Sequence, residues 1–268
     1  MCRHFAWLGE PRTLTELIFQ PSYGLPRQGD RPRWQNIELV NRDGFGVGWF
    51  PSGSARPAVS YRRAVPFDQD AGFPALAGEV STACVLGAVR GASPGMPIEE
   101  AATAPFTNGA CLLSLNGHLN REKTAPLLRP GYAPESTCDA ALLAVLLWQR
   151  LDEGHPLPLA VLGLLREIAA LDANACLNML ATDGTRIVAT TWGETLCYRV
   201  AADGVLVASE PHDDADDWIR VPDRHVLVAD TLGVDVRPID AEPSLADPHA
   251  GEALPAGLAL PVAGEPAA

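Results

Sequence analysis

An α+β fold, with antiparallel sheets and helices packed outside them, is what the sequence predicts. Three observations carry that expectation. Segments run as strand, short helix, several strands, a helix pair and several more strands, without the regular strand–helix alternation of a parallel sheet. The stretch 175–209 reads as a meander whose turns include Asp183-Gly184 and Asp203-Gly204, pairs suited to tight antiparallel connections. Hydrophobic residues make up 47% of the 268, against 20% charged, which is enough apolar material for a sizeable core and excludes wholesale disorder.

In chain order, residues 2–8 read as a strand, and Thr13 opens a short helix through Phe19. Residues 20–43, rich in Pro, Gly and Arg, are expected as loop. Gly44-Phe-Gly46-Val-Gly48-Trp49-Phe50 reads as a glycine-rich strand with 58–63 as its hairpin partner, and further strands are expected at 82–90 and 110–116. A helix over 139–151 has Ser136 and Thr137 as expected caps, and one over 158–171 carries Pro158 in its first turn. Strands follow at 176–182, 186–192, 195–201, 205–209, 225–229 and 233–238. From residue 241 an Ala/Pro-rich stretch without Lys or Arg shows no period and is expected as a disordered tail, leaving one domain over 2–240.

Charge and cysteine usage narrow the function. A net charge of −13 repels phosphate backbones and anionic lipid, so neither nucleic acid nor a membrane surface is an expected partner. No run approaches the ~20 apolar residues of a membrane span, and the N-terminus lacks a signal-peptide pattern, so a cytoplasmic protein is expected. The six cysteines form no C-x-x-C and no paired Cys–His spacing, which leaves a structural zinc site without support. Cysteines such as Cys84 and Cys111 sit in apolar runs and read as inert core thiols. Cys2 differs, because removal of Met1 would make it the first residue.

Several motifs invite chemistry. Gly44, Gly46 and Gly48 do not form a dinucleotide loop, since Trp49 breaks the spacing and no helix start follows; close backbone approach or strand packing accounts for them. Gly91-Ala-Ser93-Pro94-Gly95 spells a nucleophile elbow, but Pro94 lacks the N–H that would complete its oxyanion hole. Asn116-Gly117 directly follows an apolar strand, where a side-chain amide and the next N–H can converge on one oxyanion. The same pair also serves ordinary turns. Arg90 ends an apolar strand as a solvated charge or as a fork for a carboxylate. Asp139 is at minimum a first-turn acid complementing the helix dipole. His118, beside the Asn-Gly pair, is read as polar surface without a role.

The order Cys2, Arg90, Asn116-Gly117, Asp139 is more specific than any member alone. It resembles the class II glutamine amidotransferase family of N-terminal-nucleophile hydrolases, over roughly residues 2–238. Met-Cys-Arg opens the chain, and Asn41-Arg-Asp43-Gly44-Phe-Gly46 is similar to that family's Asp-Gly strand. Arg90-Gly-Ala-Ser93-Pro-Gly95 is similar to its Arg-x-Ala-Thr-x-Gly, with Ser93 for Thr and Pro94 where many members have His. Ser114-Leu-Asn116-Gly117-His-Leu-Asn120 looks like its Asn-Gly-x-Ile-x-Asn, and Thr137-Cys-Asp139 matches its Ser-Asp-Ser-Glu at the Asp alone.

The resemblance implies a four-layer αββα sandwich with Cys2 at a strand start between two antiparallel sheets. It implies a Cys2 thiol activated by its own amine, Asn116 and Gly117 as the oxyanion hole, and Arg90, Ser93 and Asp139 around a zwitterionic glutamyl group. It requires no metal or organic cofactor. The Met1-Cys-Arg-His-x-Ala-Trp-Leu-Gly9 opening, Ala104-Pro-Phe-Thr107, Val207-Ala-Ser-Glu-Pro211, Trp218 and Val221-Pro-Asp-Arg224 resemble one branch of that family, hydrolases of γ-glutamyl amides whose leaving amine is a modified cysteine. A small-molecule substrate with no obligatory protein partner is the expectation. If the leaving amine carries a quaternary ammonium, aromatic faces should line its pocket, with Trp34, Phe45 and Trp49 as candidates. The alternatives are a glutaminase subunit that supplies ammonia to a separate synthase, and a silent binding module that does not depend on Cys2.

Overall fold

The structure is a computed structural model and describes residues 2–34, 40–51 and 57–240. Met1 and the expected tail from residue 241 lie outside the described residues. Strand β1 (Cys2–Thr13) runs past its expected end and hands over at Thr13 to α1 (Leu14–Ile18). Thr13 Oγ1 accepts from the Glu16 N–H while Glu16 Oε2 accepts from the Thr13 N–H, a reciprocal cap that satisfies two donors at the helix start.

Next come α2 (Leu25–Asp30), β2 (Gly44–Trp49), β3 (Val59–Arg63), α3 (Phe73–Glu79) and β4 (Ser81–Arg90). Helix α2 corrects the expectation of continuous loop over 20–43, and α3 is also absent from the sequence reading. Both are under two turns long and begin with Pro26 or Pro74 in the first turn, so neither shows a helical period.

Strands β5 (Phe106–Thr107) and β6 (Leu112–His118) lead through α4 (Arg121–Thr124) to the helix pair α5 (Asp139–Asp152) and α6 (Leu157–Leu171). The cap of α5 is neither Ser136 nor Thr137 but Cys138, whose Sγ accepts from the Ala141 N–H at 3.4 Å. The helix begins at Asp139, so the residue just before it takes that geometry whatever its type. Ser136 instead donates to Glu99 at 2.7 Å. The chain ends in β7 (Cys176–Thr182), β8 (Ile187–Thr190), β9 (Cys197–Ala201), β10 (Gly204–Ala208), β11 (Ile219–Arg220), β12 (His225–Asp230) and β13 (Gly233–Pro238).

Two antiparallel sheets result, in the orders β11-β9-β10-β1-β4-β2-β3 and β13-β12-β8-β7-β6-β5. Period-2 alternation sends neighbouring residues of each strand into different layers. From β1, Phe5 and Trp7 pack outward under Leu17, Ile18, Leu25 and Phe73 of the first three helices, whereas Ala6 and Leu8 point inward. The inward residues meet Leu112 and Leu180 of the second sheet. On that sheet's far side, Leu113, Leu115, Leu177 and Met179 lie under α5 and α6. The layers are therefore helix, sheet, sheet, helix, as the four-layer expectation requires.

The glycine-rich strand has a physical reason within this stack. A Cβ on Gly46 would lie 2.3 Å from the Ala104 carbonyl oxygen, and one on Gly48 would lie 2.7 Å from Leu112 Cδ2. Bare backbone at β2 lets the segment around Ala104 come down against the first sheet.

Candidate active site

Register places the first site residues side by side. Cys2 pairs with Arg90 on β4, and Arg90 pairs with Gly44 on β2. Alternation turns Cys2 to the inner face, towards the second sheet, where its backbone N–H donates to Asn116 Oδ1 at 3.1 Å. Asn116 is fully buried, and its Nδ2 has no hydrogen-bond partner among the described residues. A buried amide donor left unpaired beside a thiol is costly unless something else accepts from it.

Gly117 follows at the end of β6. A Cβ there would lie 2.0 Å from the Cys176 carbonyl oxygen, so any side chain would push β6 away from β7. The chain leaving Gly117 is held by two carboxylates, one at the start of α5 and one just past the end of α6. The Leu119 N–H donates to Asp139 Oδ2 at 3.2 Å, and the Asn120 N–H donates to Asp172 Oδ2 at 2.9 Å. Asp139 Oδ1 accepts from the Ala140 N–H at 2.9 Å, which puts its charge at the N-terminal end of the α5 dipole.

One cleft of ≈ 530 Å³, counting the space at its mouth, is lined by Cys2, Arg90, Ser93, Gly117, Cys138 and Asp139 among others. Arg90 is buried, and its Nη1 has no hydrogen-bond partner among the described residues. The loop beyond it is anchored by Asp43, whose N–H donates to the Arg90 carbonyl and whose Oδ2 accepts from the Ala92 N–H. Ser93 is exposed at the cleft. The arrangement joins a half-exposed thiol, an unsatisfied buried amide donor, one cationic fork and one carboxylate. It can take a ligand that carries both an anion and a cation beside a carbonyl.

The other five cysteines are free and buried. Burial pushes the Cys84 and Cys176 thiols up to about 12 and raises Cys111, Cys138 and Cys197 as well. A raised thiol pKa disfavours the thiolate that would react. His118 is exposed.

The aromatic candidates do not reach the cleft. Phe45 is buried in the outer layer and stacked on Phe67 at 4.0 Å, and Trp49 packs against the same cluster. Both share the outward parity of β2, opposite to its glycines. The Trp34 N–H donates to Glu210, and Arg220 lies over its ring. Sequence reasoning also missed Asp43 as an anchor, Met96 and Phe106 as apolar lining, and a buried pair, His4 and Ser114, behind the nucleophile. The signal for that pair was present: each lies two residues along the strand from Cys2 or Asn116, and so on the same face.

No family model matches the chain. It is 44% identical over 241 residues to the gamma-glutamyl-hercynylcysteine sulfoxide hydrolase of Mycolicibacterium smegmatis, covering 89% of this chain and 100% of that one. It is 42% identical over 240 residues to the protein of the same name from Mycobacterium tuberculosis, covering 90% and 97%. Among solved structures it is similar to the glutamine phosphoribosylpyrophosphate amidotransferase of B. subtilis, with a TM-score of 0.67 at 16% identity. That match takes in 90% of this chain and 50% of the other, and it shows a shared fold.

Proposed function

The chain belongs to the gamma-glutamyl-hercynylcysteine sulfoxide hydrolase family, and from that premise we propose that it cleaves the γ-glutamyl amide of γ-glutamyl hercynylcysteine sulfoxide. The products are glutamate and hercynylcysteine sulfoxide, a step of ergothioneine biosynthesis. The observation that carries the reading is the convergence of Cys2, the unpaired Arg90 nitrogen and Asp139 on one cleft.

The domain acts over residues 2–240. Loss of Met1 turns the Cys2 backbone nitrogen into a free amine, with an ordinary pKa of about 7.7–8.0. That amine takes the thiol proton, and the sulfur attacks the γ-carbonyl carbon to form a C–S bond. The oxyanion is held by Asn116 Nδ2 and the Gly117 N–H. Asn116 Oδ1 meanwhile orients the amine through the contact made by the Cys2 nitrogen. The ammonium returns its proton to the leaving nitrogen as the amide C–N bond breaks, leaving a glutamyl thioester. Water, deprotonated by the same amine, adds to the thioester, and the thiolate departs and recovers its proton. Arg90 takes the α-carboxylate, Asp139 the α-ammonium, and Ser93 a further polar contact.

Arg90→Lys keeps the charge but loses the planar fork. Hydrogen bonds to charged groups contribute about 1.5–3 kcal/mol, so KM should rise about ten- to a hundredfold with kcat less affected. Steady-state kinetics checks this, and an unchanged KM would remove Arg90 from the donor pocket.

The substrate is tested by competition between γ-glutamyl hercynylcysteine sulfoxide and L-glutamine at equal concentration, with the purified chain alone. Every γ-glutamyl compound shares the donor half, so selectivity rests on the leaving amine. Binding energy from that part raises kcat, and L-glutamine cannot supply it. The sulfoxide should be the preferred source of glutamate. Preference for glutamine, or activity that needs an added synthase, would replace the hydrolase reading with that of a glutaminase subunit.

A further inference from the structure

Two hydrogen-bonded rungs join β1 to β6 across the inner layer. One is the contact of the Cys2 nitrogen with Asn116 Oδ1. In the other, His4 Nδ1 and Ser114 Oγ share a hydrogen bond at 3.1 Å. Each partner of the second rung lies two residues from its counterpart in the first. Deeper in the same layer the contacts are apolar, among Ala6, Leu8, Leu86, Leu112 and Leu180. His4 is also tied to the first sheet, its N–H donating to Ser209 Oγ at 3.0 Å and its carbonyl accepting from the Ser209 N–H at 2.9 Å.

A histidine so near a nucleophilic cysteine invites the role of general base, and the geometry opposes it. A base must lie within hydrogen-bond reach of the proton it takes, whereas His4 Nδ1 is engaged by Ser114 and Nε2 has no hydrogen-bond partner among the described residues, Cys2 included. Complete burial, with the adjacent Arg3 charge, pushes the His4 imidazole down to about 3. It is therefore neutral at ordinary pH. Its Nε2 is buried without a hydrogen-bond partner among the described residues, a cost that a leucine at this position would avoid.

We propose that His4 and Ser114 are positioning residues, whose rung sets the spacing and register of β1 against β6 and so holds Cys2 against the oxyanion donors. Apolar contacts alone leave two stacked sheets free to shift by fractions of an ångström. A hydrogen bond is directional and does not. A misplacement of about 1 Å at a reacting atom can cost about a hundredfold in rate. The inference rests on Cys2 as the nucleophile.

The test compares kcat, KM and the pH profile for the γ-glutamyl substrate across single and double variants. Wild-type turnover that disappears in Cys2→Ala establishes the underlying reading separately. His4→Leu and Ser114→Ala should each lower kcat about ten- to a hundredfold with KM little changed. The double variant should be no worse than the poorer single one, since both remove the same rung. His4→Asn, whose carboxamide reaches the position of Nδ1, should keep kcat within about threefold of wild type and leave the acid limb of the pH profile in place. Loss of all activity in a folded His4→Asn, or residual turnover in it without that limb, would make His4 the base and overturn the proposal. So would additive losses, or a folded Ser114→Ala enzyme with wild-type kcat. Should His4→Leu fail to fold, Ser114→Ala, which removes one oxygen, still decides.

Discussion

Cys2→Ala should abolish turnover of the γ-glutamyl substrate, with kcat falling by about 10⁴–10⁶, the range for removing a nucleophile from an enzyme that works through a covalent intermediate. The fold should survive, because the substitution deletes one half-exposed sulfur at a strand start and leaves the backbone bond to Asn116 in place. A thermal transition within a few degrees of wild type would show that the loss is chemical. The companion result concerns Met1. If the base is the amine of Cys2, a protein that retains Met1 should be as inactive as Cys2→Ala although its thiol is intact, since an acylated nitrogen cannot take a proton at neutral pH. Intact mass of the active protein should show Met1 removed. Full activity with Met1 in place would overturn the mechanism.

The second large effect belongs to Asn116. Its two side-chain atoms face different tasks: Oδ1 accepts from the Cys2 nitrogen, and Nδ2 is the buried donor with no described partner. Asn116→Ala removes both and should lower kcat by roughly 10²–10³, as for other oxyanion donors, while KM changes little. Asn116→Asp separates the tasks, because it keeps the acceptor for the amine and replaces the donor with a carboxylate oxygen. Its kcat should fall at least as far. Turnover by Asn116→Asp near the wild-type rate would show that Nδ2 does not stabilise the oxyanion.

Much of this architecture was legible because its signals are local. The Asp-Gly turns, the capping residue Thr13 and the apolar alternation announce strands and helix starts through interactions that reach only a few residues. Helices α2 and α3 escaped notice because two turns or fewer, opened by Pro26 and Pro74, carry too little period to register. Their stability comes from the outer face of the first sheet that they cover. Cys138 as the cap of α5 escaped for a similar reason, since propensity pointed to Ser136 while tertiary contacts had given Ser136 to Glu99.

By itself the sequence determined most of the strands and the helix pair, and its resemblance to a known family named Cys2, Arg90, Ser93, Gly117 and Asp139, which the structure places along one cleft. Period-2 patterning also states that Cys2 and His4 share a face, as do Ser114 and Asn116, and that Phe45 and Trp49 share another. It cannot state what lies above each face, because alternation is blind to which of two stacked layers covers which side. Tertiary structure decided that Phe45 and Trp49 lie under the outer helices rather than beside a ligand. It likewise decided that His4 meets Ser114 across the gap between sheets. The physical reason is that both outcomes depend on packing between segments distant in sequence, Phe45 with Phe67 and Phe73 in one case and His4 with Ser114 in the other, which no local propensity encodes.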